Sequence, residues 1–446
     1  MDKSIIMKIY NLILEKMVMP AGDLLFSTKT MAELKKWRHI SQLSESELIN
    51  LQKENLSDLL KFAVQEIPFY KELKTEANED PFTWIKKFPL MKKKDYKDNI
   101  DLLLSEDKDK LIKKMTSGSS GIQGITYMNI KEQDLNRAIQ MLWWEWAGWK
   151  PGKPILQTGM TINRGLLKTF KDYFLRTTYS NAFGMSETSS AQLMSKFRNK
   201  KNYHIGGYAS SIYLLAKIAE KEGFKDIHFD GAISWGDKMF PHFRSKIKEV
   251  FGCKVYDTYA CSEGLMIAAQ HDLDYYYIMT PHIYLELLDK NGNDVEDGQL
   301  GHVVVTRLDS RSMPIIRYYT GDLAIRLPRN QYPEKRKFAF PLLEKVIGRD
   351  TDIVYTQSNK FMIVHFFTAI FEFETGIKQF RVIQEDLSSM KIEYIPSKEY
   401  DEMVLPRIEK KIHEHLQEDF PIEWIKVDEI PPTASGKPQI IKSLIK

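Results

Sequence analysis

The sequence predicts an α/β protein with a large amino-terminal domain of mixed sheets and helices and a small carboxy-terminal α+β domain. The chain has 446 residues, which exceeds the roughly 250 to 300 residues at which a single hydrophobic core stops growing. Helical patterns alternate with short β-rich segments between Thr116 and about Arg349. A polar passage then leads into a final region with helix and strand signals of its own. We therefore expect a large domain over 1–349 and a small one over 350–446.

The composition is that of a folded protein in a reducing compartment. Hydrophobic residues make up 43% of the chain and aromatic residues 12%, which is enough apolar surface to exclude disorder. Lys and Arg number 64 against 60 Asp and Glu, so no nucleic-acid partner is required. Two cysteines, Cys253 and Cys261, are too few for a disulfide framework. We expect a cytoplasmic protein.

The amino terminus carries an apolar stretch that is too interrupted for a signal peptide or a membrane span. Charged residues break or close the stretch Ile5–Leu14, and no small-residue cleavage site follows it. The spacing of Ile5, Ile9, Leu12 and Leu14 predicts an amphipathic helix. Packing on the body of the protein and peripheral contact with a membrane both remain open for this helix.

The first part of the chain, up to about residue 110, has helical periodicity. Apolar residues return mostly at three- and four-residue intervals before Pro68: Leu48, Leu51, Leu56, Leu59, Leu60 and Val64. Lysines cluster at Lys86–Lys87 and Lys92–Lys94. Such clusters form either a solvated helical face or a patch for polyphosphate or membrane.

The middle of the chain contains helix and strand signals with defined positions. Helical patterns cover 208–222 and 241–250. Ile283–Leu288 reads as a strand that enters an Asn-Gly turn, and Gly301–Leu308 reads as its return. We expect these two strands to form a hairpin.

Two Gly/Ser-rich loops have the composition of halves of one anion site. The loop Thr116–Gly121 offers backbone N–H groups and hydroxyls to an anion, but it lacks the Gly-Lys-Ser/Thr of a Walker loop. The loop Pro431–Lys437 carries a lysine on a short turn stiffened by prolines. Alone, the first loop could instead be an ordinary flexible connection, and Lys437 could be a solvated side chain.

The order of the motifs resembles the adenylate-forming superfamily, which includes the acyl-CoA synthetases. The motifs are, in order, Thr116–Gly121, Tyr259–Gly264, Arg317–Asp322, Gly348–Asp352 and the Lys437 loop. Further details are similar to the phenylacetate-CoA ligase-like branch and its CapK-like proteins of capsular polysaccharide loci: Ile67–Tyr70, Gly207–Tyr213, Ser234–Asp237 and Pro314–Tyr318. The resemblance runs over nearly the whole chain.

The resemblance implies ATP, Mg²⁺ and coenzyme A as ligands, and it implies a role for each motif residue. The first loop would hold the β- and γ-phosphates through Ser117, Gly118, Ser119, Ser120 and Gly121. Glu263 with Thr116 would bind Mg²⁺, and Lys437 would neutralise the α-phosphate and the attacking carboxylate. The remaining nucleotide contacts would come from Trp235, Gly236, Asp237, Tyr259, Ser262, Asp322 and Arg349. Each of these could instead be a structural or surface residue.

The function implied is ATP-dependent, AMP-forming activation of a carboxylic acid, followed by transfer to CoA or another acceptor, in capsule-related metabolism. The carboxy-terminal domain would deliver Lys437 and then move about a hinge at Gly348–Asp352. Three departures from the family pattern support an alternative, a nucleotide-binding or regulatory protein without turnover: Ile122–Gly124, Ala260 and Thr351. A basic surface-binding protein with accidental motifs is a further alternative. The acid, the acceptor and the oligomeric state stay open.

Overall fold

The computed structural model describes residues 3–73, 79–115, 125–159, 165–182, 187–349, 353–358, 361–363, 367, 370–371, 374, 376–416, 418–431 and 439–445. Among these residues the regular elements up to residue 110 are all helical, as the periodicity predicts. They are α1 (Lys3–Ile13), a π-helical turn (Leu14–Val18), α2 (Met19–Leu25), α3 (Thr30–Ile40), α4 (Glu45–Glu66), α5 (Pro81–Trp84), α6 (Lys93–Asp98) and α7 (Ile100–Leu103), with 3₁₀ turns at Pro68–Tyr70, Ile85–Lys87 and Lys108–Lys110.

Helix α4 shows how the local sequence sets an element and its packing. Ser44 and Glu47 form a capping box that satisfies the first free N–H groups of the helix. The helix ends before Pro68, which cannot continue it. Its buried leucines, Leu56 and Leu59 among them, belong to one hydrophobic cluster with strands of the central sheet. Burying each such side chain contributes about 1.5–3 kcal/mol.

The next region forms a strand pair followed by alternating strands and helices. The elements are β1 (Ile112–Met115), β2 (Ile125–Met128), α8 (Ile130–Trp146), β3 (Ile155–Gly159), α9 (Gly165–Phe174), β4 (Thr177–Asn181), α10 (Glu187–Ser195), β5 (His204–Tyr208), α11 (Ala209–Lys221), β6 (Gly231–Trp235) and α12 (Pro241–Phe251). The helices predicted at 208–222 and 241–250 are thus confirmed as α11 and α12.

The strands of the second half follow as an antiparallel series. They are β7 (Val255–Cys261), β8 (Leu265–Ala269), β9 (Tyr276–Ile278), β10 (Ile283–Leu288), β11 (Leu300–Arg307), β12 (Tyr318–Arg326) and β13 (Leu342–Arg349). Strands β10 and β11 pair with Ile283 opposite Arg307 and Leu288 opposite His302, so the predicted hairpin is confirmed.

Eleven of the described strands form one sheet, in the order β10-β11-β12-β13-β9-β8-β7-β6-β5-β3-β4. Strands β4, β3, β5, β6 and β7 run parallel, whereas β7 pairs with β8 in the antiparallel sense. Strand β7 therefore joins a parallel half to an antiparallel half. Since ligands bind at the carboxyl ends of parallel strands, the ends of β6 and β7 are the expected place for a site.

The carboxy-terminal residues have strands, a helix and a core of their own. The elements are β14 (Ile353–Tyr355), β15 (Phe361–Ile363), β16 (Ile377–Gln384), β17 (Met390–Pro396), α13 (Val404–Leu416), β18 (Ile422–Lys426) and β19 (Ile441–Ser443). Strands β18-β17-β16-β19 form a sheet. The buried residues of the cluster around Ile408 all lie between Val354 and Ile441. The α/β class with added α+β elements is therefore confirmed.

In the described part of the chain, no helix combines the length and the apolar character needed to cross a bilayer.

Candidate functional site

The structure describes about half of the predicted site residues. Trp235, Gly236, Asp237, Tyr259, Ser262, Glu263 and Asp322 are described in full. For Arg349 the strand backbone is described, but the side chain is not. The loop Thr116–Gly121, with Thr116, Ser117, Gly118, Ser119, Ser120 and Gly121, lies outside the described residues, and so does Lys437. The departures at Ile122–Gly124 and Thr351 lie there too.

Tyr259 and Asp322 meet although they are far apart in sequence. Tyr259 lies on β7 and Asp322 on β12, and the tyrosine hydroxyl donates a 2.8 Å hydrogen bond to Asp322 Oδ2. Both side chains are buried, and burial, with the charge of Asp322, raises the pKa of Tyr259 well above its ordinary value. The phenol therefore stays protonated and acts as a donor to the carboxylate.

The strand that pairs with β12 places a second predicted site residue, Arg349, next to Asp322. In the register of β12 and β13, Asp322 is opposite Arg349 and Leu323 is opposite Gly348. Gly321 and Gly348 have φ values of +77° and +114°, which non-glycine residues rarely adopt. The backbone of the predicted hinge thus begins beside the proposed ribose carboxylate.

Glu263 sits in the tight turn between β7 and β8. Its neighbour Gly264 has a φ of +86°, and a Cβ there would come within 2.8 Å of Arg307 Nη1, Asn136 Nδ2 and Met128 Cε, so the turn requires glycine. The Glu263 side chain is buried, and Tyr318 donates a 2.6 Å hydrogen bond to its Oε1. Tyr318 thereby fixes the direction of the carboxylate.

Glu263 lines a small cavity together with residues that flank the predicted phosphate loop. Strands β1 and β2 form an antiparallel pair on either side of that loop. Ile125 and Thr126 of β2 line the cavity with Glu263, Tyr318 and Lys93. Thr126 Oγ1 is buried and has no hydrogen-bond partner among the described residues. A carboxylate and an unsatisfied hydroxyl are hard oxygen donors, which fits a Mg²⁺ ion or its bound water.

Cations near this cavity were not assigned a role from the sequence. Lys93, a member of the Lys92–Lys94 cluster, lines the cavity and is half-buried. On β1, burial and the nearby charges of Arg137 and Lys168 lower the pKa of Lys114. The region next to the predicted phosphate loop is therefore electropositive. The lysine cluster was the only sequence signal for it.

The predicted adenine segment Trp235–Asp237 follows β6. The ring of Trp235 stacks on Trp144, with 5.7 Å between centroids and 15° between planes. Gly236 has a φ of +81°, and a Cβ there would lie 2.5 Å from the ring of Tyr208. The segment therefore presents backbone in a tight turn.

The side chain of Asp237 makes hydrogen bonds to residues at the start of α11. Its carboxylate accepts hydrogen bonds from the N–H groups of Ala209 at 2.5 Å and Ser210 at 3.1 Å, and from Ser210 Oγ at 2.5 Å. These contacts satisfy the amino terminus of α11 and place a negative charge where the helix dipole favours it. Asp237 thus holds α11 to the end of β6.

The tryptophan-rich stretch packs into the interior. Trp143, Trp146 and Trp149 are buried, which matches packing rather than the lining of an acyl pocket. Trp144 is half-buried against Trp235. From the sequence, these tryptophans with Tyr179 and Phe183 could form either the lining of an apolar acyl pocket or ordinary packing. Tyr179 is half-buried on β4, and Phe183 lies outside the described residues.

A buried hydrogen-bond network fixes β6 against β7. Asp257 accepts hydrogen bonds from Ser234 Oγ and, at 2.5 Å, from the hydroxyl of Tyr276. Thr258 Oγ1 donates to the carbonyl of Ser234 at 2.8 Å. Burial raises the pKa of Asp257. The network sets the relative position of the two strand ends that carry Trp235 and Tyr259.

A buried ion pair positions the start of the Asp322 motif. Arg317, at a φ of +46°, pairs with Glu286 at 3.0 Å and donates to the carbonyl of Phe88 at 3.0 Å. Lys86 bonds to the same glutamate at 2.8 Å. Arg317 and Lys86 are therefore structural links between the helical region and the sheet.

The structure brings some of the predicted site residues together. Two tyrosine hydrogen bonds join β12 to the end of β7: Tyr259 donates to Asp322, and Tyr318 donates to Glu263 in the turn after β7. Ser262 is exposed in the same turn as Glu263, and Ala260 is exposed beside a β-bulge. The arrangement offers buried carboxylates, hydroxyl donors and nearby cations, which suits a polyphosphate with a metal ion.

The chain is similar to known proteins along nearly its whole length. Residues 354–444 match the family model described as the CapK C-terminal domain. The chain is 23% identical over 432 residues to protein CapK of Staphylococcus aureus, which covers 92% of each chain. It is 26% identical over 329 residues to the phenylacetate-coenzyme A ligase of Pseudomonas putida, covering 68% of this chain and 71% of that one.

Solved structures show the same fold. The 2-hydroxyisobutyryl-CoA ligase in its postadenylation state, in complex with R3-HIB-AMP, matches with a TM-score of 0.69 at 18% identity, covering 90% of this chain and 91% of that one. An open conformation of that ligase with 2-HIB-AMP and CoA matches with a TM-score of 0.59 at the same identity, covering 90% and 92%. The resemblance to the adenylate-forming fold and to the CapK and phenylacetate-CoA ligase branch is confirmed.

Proposed function

We propose that this chain, a homologue of CapK and of the phenylacetate-CoA ligases with the fold of the adenylate-forming CoA ligases, is an ATP-dependent, AMP-forming acid ligase. The observation that carries the proposal is the shared cavity of Glu263, Tyr318, Thr126 and Lys93. It brings the proposed metal carboxylate next to the strand that follows the predicted phosphate loop. Two of the proteins named above, the phenylacetate-coenzyme A ligase and the 2-hydroxyisobutyryl-CoA ligase in complex with R3-HIB-AMP, support the same reaction class.

The first half-reaction would be formation of an acyl-adenylate. A carboxylate oxygen of the acid attacks the α-phosphorus of ATP, and the bond from that phosphorus to the bridging oxygen breaks and releases pyrophosphate. Negative charge accumulates on the phosphoryl oxygens, so cations and fixed donors supply most of the catalysis. Lys437 would act on the α-phosphate, and Lys93 would act near the Glu263 cavity.

The nucleotide would be held by the motif residues around β6, β7 and β12. Asp322 would accept hydrogen bonds from the ribose hydroxyls, and Tyr259 would keep that carboxylate oriented. Trp235 and Gly236 would line the adenine. Ser262 and Arg349 complete the proposed set of nucleotide contacts, with the loop Ser117–Gly121 on the β- and γ-phosphates.

Glu263 and Thr116 would hold Mg²⁺, which supplies positive charge to the phosphates when it is bound. The hydrogen bond from Tyr318 leaves Glu263 Oε2 as the oxygen for this role. The electropositive surroundings of Lys114 support a site for a polyanion there. They also supply the charge that the departure at Ile122–Gly124 removes from the loop itself.

The second half-reaction would transfer the acyl group from AMP to an acceptor. Coenzyme A is the proposed acceptor because the 2-hydroxyisobutyryl-CoA ligase binds CoA in its open conformation. The small domain over 350–446 would move about Gly348–Asp352 between the two half-reactions. Similarity to CapK supports a role in capsule-related metabolism, and the need for ATP and CoA favours a cytoplasmic location.

The proposal is tested by pyrophosphate exchange. The full chain is incubated with ATP, Mg²⁺, labelled pyrophosphate and a panel of aromatic and short aliphatic acids, and acid-dependent label in ATP is measured. We expect exchange with at least one acid and an acyl-AMP of matching mass. ATP binding without exchange for any acid in a broad pool would instead favour a nucleotide-binding protein without turnover.

A further inference from the structure

The amino-terminal helices expose their apolar side chains. Ile9, Leu12, Ile13, Met17 and Leu24 are exposed, with Leu24 at 84%, and their spacing puts them on one helical face. A helix that packs on a protein body turns this face inward. Here only Leu14 is buried among the described side chains of the segment up to Phe26. The predicted face of Ile9, Leu12 and Leu14 is therefore split, and most of the apolar stripe faces solvent.

A second helix extends this stripe. Tyr10 donates a 2.6 Å hydrogen bond to the carbonyl of Phe174, which ties α1 to α9. On α9, Phe170 is exposed and Tyr173 is 80% exposed. We call the α1–α2 stripe together with Phe170 and Tyr173 the apolar surface. Contiguous exposed apolar area of this kind marks an interaction site.

Positive and negative side chains beside the apolar surface point in different directions. Lys8 and Lys16 are exposed. The described acidic residues of the same segment are turned toward the protein: Glu15 pairs with Arg38 at 2.8 Å, and Asp23 accepts from Thr28 Oγ1 and from the N–H of Met31, both at 2.7 Å. On α9, Lys168 and Lys171 are exposed and Asp172 is half-buried. The outward charge next to the apolar side chains is therefore mainly positive.

Exposed apolar side chains beside outward lysines distinguish between two possible binding partners, a second copy of the chain and a membrane. A second copy of the chain, docked through a two-fold axis, would bring the same patch against itself and set lysines near lysines. The surface of an anionic bilayer accepts both features at once, since apolar side chains enter the acyl boundary and lysines meet the headgroup charge. We propose that the apolar surface docks on an anionic lipid membrane, with α1, α2 and α9 lying in the headgroup region.

Vesicle flotation with the full chain tests the proposal. The probes are vesicles of phosphatidylcholine alone and of phosphatidylcholine mixed with phosphatidylglycerol. We expect binding to the anionic vesicles that weakens as salt rises. Leu25, next to Leu24 on α2, is also exposed. The double variant Leu24→Ser/Leu25→Ser should bind at least about tenfold more weakly, because two exposed leucines no longer enter the acyl boundary.

A matched control uses exposed apolar residues elsewhere. Leu387→Ser/Met403→Ser changes two exposed side chains of the carboxy-terminal region and should bind as the parent does. Lys8→Gln/Lys16→Gln should weaken binding to anionic vesicles by about tenfold or more and flatten the salt dependence.

Three outcomes would overturn the proposal. The first is an absence of binding to anionic vesicles, and the second is equal binding by the parent and the Leu24→Ser/Leu25→Ser variant. The third is a parent dimer that the same double variant converts to a monomer without any lipid binding, which would assign the surface to a second copy. Because these leucines are exposed, the melting temperature of the variant should match that of the parent.

Discussion

At the scale of single residues, the sequence identified the acidic and aromatic groups but not their partners. Tyr259, Glu263 and Asp322 stand out because each lies in a motif with a fixed neighbourhood. The hydrogen bond from Tyr318 to Glu263 joins a residue of β12 to the turn after β7, and no local pattern encodes such a pairing. Lys93 was visible only as one of three consecutive lysines. Which of the three faces a cavity depends on the turn of α6.

Asp322→Ala should weaken nucleotide binding while leaving the fold largely intact. Loss of hydrogen bonds from the ribose to a charged acceptor costs about 1.5–3 kcal/mol, or roughly 10- to 100-fold in affinity. Calorimetric titration with a non-hydrolysable ATP analogue measures this loss of affinity. Tyr259→Phe, which removes only the donor to Asp322, should cost less. Unchanged affinity in Asp322→Ala would remove this residue from the proposed ribose site.

Lys437→Ala should reduce acyl-adenylate formation far more than it reduces ATP binding. A cation that acts mainly on transition-state charge lowers the rate by about two to three orders of magnitude when it is lost. Single-turnover measurement of acyl-AMP separates that rate from affinity. Lys442→Ala, a change to a nearby lysine on β19, serves as the control. Equal rates in Lys437→Ala and the parent would contradict the role.

At the scale of elements, strong local sequence signals predicted the hairpin and the helices correctly. They did not predict which face of a helix is exposed. The hairpin around Asn291–Gly292 was predictable because turn chemistry and the strand pattern agree over a few residues. Helices α11 and α12 were predictable from their periodicity. The exposed face of α1 was not, since an apolar stripe predicts an amphipathic helix without saying what covers it.

The turn that carries Glu263 should not tolerate a side chain at Gly264. In Gly264→Ala the new methyl would meet three side-chain atoms at 2.8 Å, and together with the positive φ this costs about 2–4 kcal/mol. Urea unfolding measures the loss. Gly223→Ala is the matched control, because Gly223 has a φ of +69° with nothing within 4 Å of its Cβ position. Equal losses in the two variants would mean that backbone strain alone matters.

Strand β5 carries a histidine, His204, that should make the free energy of unfolding depend on pH. Burial first, and then the charge of Lys153, lowers the pKa of His204 from 6.5 to about 4. The folded state thus keeps His204 neutral while the unfolded chain binds a proton below pH 6.5. Stability is therefore full above pH 6.5 and falls by about 3 kcal/mol as the pH drops toward 4. The variant His204→Gln should lose less stability over that range in urea titrations at several pH values. An identical pH dependence in parent and variant would exclude His204 as the cause.

At the scale of the whole molecule, the predicted division into two domains remains a proposal. The cluster around Ile408 draws its buried residues from Val354 to Ile441, and the cluster around Leu59 draws its own from Leu56 to Leu343. Sequence composition indicated a boundary near 349/350. It could not indicate how far the two parts unfold together, because that depends on contacts between them.

Calorimetry of core variants should reveal two unfolding units. Leu59→Ala and Ile408→Ala each remove a fully buried aliphatic side chain and should cost about 2–5 kcal/mol locally. We expect two transitions, one lowered by Leu59→Ala and the other lowered by Ile408→Ala. A single transition that both variants lower alike would argue for one cooperative unit.

Strand β7 belongs to both halves of the central sheet, with β6 on one side and β8 on the other. A distortion that starts in the hairpin of β10 and β11 can travel through β12 and the Tyr259–Asp322 hydrogen bond to the end of β7. Substitutions in the antiparallel half therefore act on the position of Tyr259 as well as on the hairpin itself.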